Sequence, residues 1–228
     1  MGRDERHGDG TGTAAQRRAP IIAATMRLIA RDGIAALSTR TIAREAAVNL
    51  ATVYDLVGRK DDLLLAVLEE ATSTLIAALV VVTQPGTGLR AALADSVAAL
   101  CTLLDQVPAP PLVRCAVLLY CSGRPAQAAA VRQQQRYLDA LQVCYRVAGA
   151  PGERDLIPAE ELAVVVSSSL DGLAVQRAAG LPAAQQGATR AHLLGALLAL
   201  VPPPHAGEQR RTDDVLAILL GEERSHES

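Results

Sequence analysis

At 228 residues the chain has room for one large domain or two small ones. Half of the residues are hydrophobic and 20% are charged, which excludes global disorder, and the richness in alanine and leucine favours an all-α protein. The net charge of −2 excludes a uniformly basic nucleic-acid binder, yet residues 1–60 carry ten Lys/Arg against six Asp/Glu and the remainder twelve against eighteen. A basic first third on an acidic body suits a local phosphate-binding surface.

Residues 1–13 are polar and glycine-rich and read as a flexible arm, without the apolar stretch of a secretory signal. From 14 to 31 the set Ile21, Ile22, Thr25, Met26 and Ile29 recurs at helical spacing, and Asp32-Gly33 ends the helix. Ser38 is placed to cap a helix carrying Ile42, Ala43 and Ala46 on one face. A turn at 47–49 leads into a short helix over about 50–56. Gly58, Arg59 and Lys60 form a loop, and Asp61-Asp62 open a long helix that runs to about Thr83. Beyond Pro85-Gly86 the breakers PAPP, GRP, GAPG, GLP and VPPPHAG carve out helices near 88–106, 111–122, 125–148, 159–179, 188–201 and 212–221.

Several chemistries are disfavoured by what the chain lacks. The apolar runs, LIAALVVV among them, are too short to span a bilayer, so a soluble cytoplasmic protein with no membrane contact is expected. Cys101, Cys115, Cys121 and Cys144 show no CxxC spacing and read as reduced thiols among apolar neighbours. His7, His192, His205 and His226 are scattered, and there is no HExxH, Glu-x-x-His pair, nucleophile elbow or phosphate loop. No catalytic residue, cofactor or metal site is expected.

The stretch TRTIAREAAVNLATVYDLVGRKDDLL, residues 39–64, is the informative one. A helix-turn-helix needs a small residue where two helices approach and apolar residues at fixed offsets. Ala43 lies four residues before the turn position Ala47, and Ile42, Ala46, Val48, Val53 and Leu56 fill the apolar places. Between them lie Asn49, Leu50, Ala51, Thr52 and Tyr54, side chains able to enter a major groove.

At Ile42-Ala43, Ala46-Ala47-Val48, Thr52-Val53-Tyr54, Lys60 and Asp61-Asp62-Leu63-Leu64 the sequence resembles the TetR family of transcriptional regulators, over about residues 17–68. SSSLDGLAVQRAAG is a weaker echo of the family's penultimate helix. Two residues depart from the pattern. The usual turn glycine is Ala47, and the usual aromatic three after the tyrosine is Val57, a smaller plug for the three-helix core.

The resemblance implies a flexible arm at 1–13, a helix-turn-helix domain at 14–62, and a helical effector-binding and dimerisation domain at 63–228. Arg40, Arg44 and Lys60, with Thr41 as a secondary candidate, would meet phosphates; Asn49 and Thr52 would reach base edges or phosphate. Tyr54 would offer its hydroxyl to phosphate while its ring packs inward, and Leu50 and Ala51 would share the groove-facing edge. An effector pocket in 88–148 would draw on Leu100, Cys101, Leu104, Leu118, Leu119 and Leu141, interrupted by Tyr120, Arg136, Tyr137 and Cys144, walls that suit a lipophilic small molecule. Leu162, Val166, Leu170 and Leu173 on one helix, with Leu193, Leu194, Leu197 and Leu198 on the next, would pair two copies as a four-helix bundle.

The expected function is a ligand-responsive homodimeric regulator, a repressor released from a palindromic double-stranded operator by a small effector. The alternative is a dimeric small-molecule-binding helical protein whose DNA head has weakened through Ala47 and Val57.

Overall fold

A computed structural model describes residues 14–149, 157–201 and 215. Among the described residues there are nine α-helices and no strand. The first four are α1 (Ala14–Asp32), α2 (Thr39–Ala46), α3 (Leu50–Val57) and α4 (Lys60–Val82). The others are α5 (Leu89–Asp105), α6 (Pro110–Cys121), α7 (Gln127–Ala148), α8 (Ala159–Ala178) and α9 (Ala183–Leu198). The expected boundaries agree closely except at α9, which starts five residues earlier. Its first turn is closed by the Gln186 N–H donating to the Pro182 carbonyl at 3.1 Å, so the polar stretch before residue 188 is helical as well. The arm at 1–13 and the helix expected at 212–221 lie outside the described residues, apart from Val215.

Local chemistry explains the short helices of the head. Ser38 Oγ accepts from the Thr41 N–H at 3.1 Å, while Thr41 Oγ1 accepts from the Ser38 N–H at 2.9 Å, a reciprocal cap for α2. Asn49 Oδ1 accepts from the Thr52 N–H at 2.7 Å and caps α3. Between them Ala47 adopts φ 54°, ψ 39°, and the Val48 N–H reaches back to the Ala43 carbonyl at 3.0 Å. This is a Schellman-type ending, and its left-handed residue is the one that glycine would occupy without strain. The departure at Ala47 therefore changes the energy of the turn and leaves its geometry intact.

Two cores meet along α4. Leu63, Leu64, Val67, Leu68 and Ala71 pack with Ile21, Leu28, Ile42, Val53, Val113 and Val117 in the head-side core. One and two turns further on, Leu75 and Leu79 enter the body core with Leu93, Val97, Leu141, Leu162 and Leu170. By length and composition α4 is apolar enough to cross a bilayer, with a mean hydropathy of 1.9, which corrects the expectation that every apolar run is too short. The helix is instead a core element: Leu64, Val67, Leu68, Ala71 and Leu79 are fully buried among α1, α6 and α7.

Ala47→Gly is expected to raise the stability of the fold by about 1 kcal/mol, the left-handed penalty less the added freedom of the unfolded chain. Thermal unfolding of the variant checks this. A lowered midpoint would mean that the turn is not strained.

Candidate nucleic-acid interface

The candidate surface is built by α2 and α3, which the head core holds by their inner faces. Ile42, Ala43 and Val53 are buried, whereas Leu50, Ala51 and Tyr54 face solvent on one edge of α3. Tyr54 is 60% exposed, so its ring stands out from the surface and does not pack inward as expected. The reason is register: Val53 takes the inward position, and its neighbour on the helix points away.

Around this edge the charges are unmatched. Arg40 and Arg44 are exposed on α2 and have no ion-pair partner among the described residues. By contrast Arg27 and Arg31 of α1 are both spent on Glu45, at 2.9 and 3.4 Å, and brace α1 against α2. Arg27, whose hydrogen bond is the larger influence, holds the Glu45 carboxyl below its ordinary range. Thr41 is committed to the α2 cap, and the Asn49 carbonyl oxygen is shared between the N–H and hydroxyl of Thr52, the latter also at 2.7 Å. Only the amide nitrogen end of Asn49 remains to face a ligand. Asn49 and Thr52 thus act first as a capping pair, and Thr41 is a structural residue before it is a contact.

Lys60 stands at the start of α4, its ammonium 3.5 Å from the Ile34 carbonyl and 5.5 Å above the Tyr120 ring. The other cation against that ring is Arg124, at 4.1 Å, and the Tyr120 hydroxyl donates to Asp61 at 3.3 Å. Tyr120 had been assigned to the effector pocket. The structure moves it to the junction where the end of α6 meets the start of α4, because α6 runs along α4 from body to head.

Within the body the expected effector residues divide. Leu100, Cys101, Leu104, Tyr137, Leu141 and Cys144 are brought together in the body core. Leu118 and Tyr120 pack on the head-side core, while Arg136 and Leu119 are exposed. Burial pushes the Cys101 thiol up to about 11, so it is an unreactive apolar group near neutral pH.

A residue not singled out in the sequence proves central here. Arg114 of α6 is 1% exposed, donates to Asp171 of α8 at 2.7 Å and to the Gln134 side chain of α7, and lies 4.5 Å from the Tyr137 ring. Gln134 in turn donates to Ser167 at 3.4 Å. The signal was present, since Arg114 is the one charge in the run PPLVRCAVLLYC.

The expected dimer residues are likewise relocated. Leu162, Val166, Leu170, Leu173, Leu194, Leu197 and Leu198 are buried inside a single protomer, and Leu193 is partly buried, so that face is intramolecular core. The helices chosen are the ones with a second apolar face. On α8 that face is Val164, Ser168, Gly172 and Val175, all exposed at helical spacing; on α9 and just beyond it, Ala196 and Leu200 are exposed.

A small three-helix head with an outward α3, joined by one long helix to a larger helical body, is the architecture of a helix-turn-helix unit carried on a helical bundle. Residues 21–67 match the family model described as bacterial regulatory proteins, tetR family. Over those residues the head of the chain is similar to the DNA-binding region of that family. Among solved structures the chain is similar to a TetR-family transcriptional regulator from a Rhodococcus species, with a TM-score of 0.67 at 21% identity over 81% of this chain and 98% of that one. It is also similar to FadR from Bacillus subtilis in complex with stearoyl-CoA, with a TM-score of 0.63 at 18% identity over 82% and 99%. A third is the multidrug binding protein EbrR complexed with imidazole, with a TM-score of 0.56 at 23% identity over 84% and 93%. At these identities the likeness is one of fold. No curated protein matches the chain by sequence.

Arg114→Ala should destabilise the protein by about 3–5 kcal/mol, because Asp171 and Gln134 lose a buried partner. Removing the exposed pair between Arg146 and Glu160 with Arg146→Ala should cost under about 1 kcal/mol. Denaturant unfolding of the two variants compares them; similar losses would contradict a buried, energetically coupled network.

Proposed function

We propose that the chain is a homodimeric repressor that reads a palindromic operator through α3 and is released by a small lipophilic effector. The observation that carries this reading is the unmatched positive rim around an exposed α3: Arg40, Arg44 and Lys60 outside, with Leu50, Ala51 and Tyr54 on the edge between. The three cations meet phosphates and set the register; the Asn49 amide, Thr52, Tyr54 and the small Ala51 read or fit the groove. A domain division at 14–62 and 63–228 suits these roles, with α4 as the shared boundary helix.

Dimerisation supplies the second half-site. A stripe of Val164, Ser168, Gly172 and Val175 has side chains small enough for two α8 helices to approach closely, and Leu200 extends the apolar area. Two heads held about 34–36 Å apart contact successive turns of one duplex face. For the effector, an open cavity of about 520 Å³ lies between α5, α7 and the start of α8, lined by Leu89, Tyr145, Ile157, Pro158 and Leu162 with Arg146 and Glu160 at the edge. Apolar walls and few polar groups suit a greasy ligand. An acyl-CoA in FadR and imidazole in EbrR are ligands of proteins sharing this fold. Effector release requires different affinities for two arrangements of α6 and α4, and couplings of this kind amount to about 1–3 kcal/mol.

An electrophoretic shift with DNA flanking the chain's own gene tests the first half. Lys60→Gln and Arg44→Gln should each weaken binding and lower the salt slope by about one. Asn49→Ser, which keeps a capping oxygen, separates base reading from the cap; Asn49→Ala would lose both. Unchanged affinity in Lys60→Gln and Asn49→Ser would refute the assignment of this surface.

The second half is tested by Val164→Asp with Val175→Asp. Sedimentation should report a monomer with native helical content, and operator affinity should fall more than about tenfold with the loss of one half-site. A variant that remains dimeric would place the interface elsewhere.

A further inference from the structure

The head contains a cavity of about 150 Å³ beneath the reading surface, floored by Leu37, Ile42, Val53, Val57 and Leu63. It lies where Val57 leaves unfilled the volume that a larger side chain at the end of α3 would take. Its rim is formed by Tyr54, by Arg59 at the cap of α4 and by Lys60, the first residue of α4, all exposed. No carboxylate lines it. The nearest along the chain, Asp55, Asp61 and Asp62, lie outside the lining, and the last two are engaged by the Tyr120 hydroxyl and the Arg59 N–H. The Arg59 guanidinium has no ion-pair partner among the described residues, and the Lys60 ammonium meets only the Ile34 carbonyl at 3.5 Å and the Tyr120 ring at 5.5 Å, neither of them an anion.

We infer that this cavity is a second, direct ligand site, taking a small aromatic monocarboxylate with its ring on the apolar floor and its carboxylate between Lys60 and Arg59. Size and charge both select this class. An apolar cavity of about this volume holds one benzene-sized ring and nothing much larger, and an empty one forfeits the contacts its lining could make. A pocket rimmed by two cations and no acid favours an anion over a neutral ring of equal shape. The occupant would neutralise Lys60 and sit against Tyr54, two residues assigned to DNA, and so would compete with the duplex without any movement of the body. The competition rests on that assignment of the reading surface; the binding itself does not.

Benzoate is the probe, titrated into the full chain by calorimetry and by the methyl resonances of Val53, Val57 and Leu63, with benzyl alcohol as the neutral comparison. Saturable binding is expected, at least tenfold tighter for benzoate than for benzyl alcohol. Val57→Phe, which fills the floor, should abolish it while retaining helical content and unfolding at a higher temperature. Lys60→Gln, a surface change, should weaken it at least tenfold. The inference is overturned by any of three results: no saturable binding at millimolar benzoate, equal affinity for the two probes, or unchanged binding in Lys60→Gln. If Val57→Phe does not fold, the Lys60→Gln titration and the probe comparison still decide. Benzoate should also displace duplex DNA from the wild-type protein. Benzoate binding by a protein that never bound DNA would remove the operator reading and leave this site standing; DNA binding with no benzoate response would do the reverse.

Discussion

One continuous helix carries the mechanical logic of the molecule. At 23 residues α4 is about 35 Å long, and its apolar side chains are divided between two cores. The first half, from Leu63 to Ala71, is locked into the head-side core; Leu75 and Leu79 belong to the body. Because packed interiors behave as close-fitting solids, a shift of the body core moves the helix as a unit and takes Lys60 and Asp61 with it. α6 lies along the same helix, so Tyr120, gripped by Lys60, Arg124 and Asp61, adds a polar clasp to the apolar seam. Head and body have separate cores, yet α4 joins them as one unbroken helix.

The distribution of polar bonds follows from that division of labour. In the head, Arg27 and Arg31 brace α1 against α2 through Glu45, while Arg40 and Arg44 have no ion-pair partner among the described residues. In the body, the buried Arg114 of α6 donates to Asp171 of α8 and Gln134 of α7, and Asp105 receives both Arg177 and Arg190, tying the end of α5 to α8 and α9. The Asp105 carboxyl is held below its usual range chiefly by its hydrogen bonds to Arg190. Buried networks of this kind contribute more to fixing one arrangement of helices than to net stability, since desolvation offsets much of the attraction.

Much of the head was legible because its constraints are local. The caps at Ser38 and Asn49, the left-handed turn at Ala47 and the inward offsets of Ile42, Val53 and Leu63 all depend on residues within a few positions of one another. Two details were not legible: the Tyr54 ring stands outward, and Thr41 closes the cap of α2. A hydroxyl that can meet a phosphate can also close a capping box, and spacing does not say which it does. The body was harder. Helices apolar on two sides, such as α8 and α9, announce that both sides are covered without revealing which covering is intramolecular; Leu162 to Leu173 took the core and the smaller Val164 to Val175 stripe took solvent.

Periodicity, caps and breakers along the chain were enough to determine the nine helices of the described residues, their order and the position of the turn between α2 and α3. These are properties of neighbours in sequence, where the energy of a choice is decided within one or two turns. The tertiary structure alone decided the partner of Arg114, the place of Tyr120 at the head–body junction, the outward face of α8 and the cavity under Val57. Each of these depends on side chains from different helices meeting at a particular crossing, and no regularity within one helix contains that information.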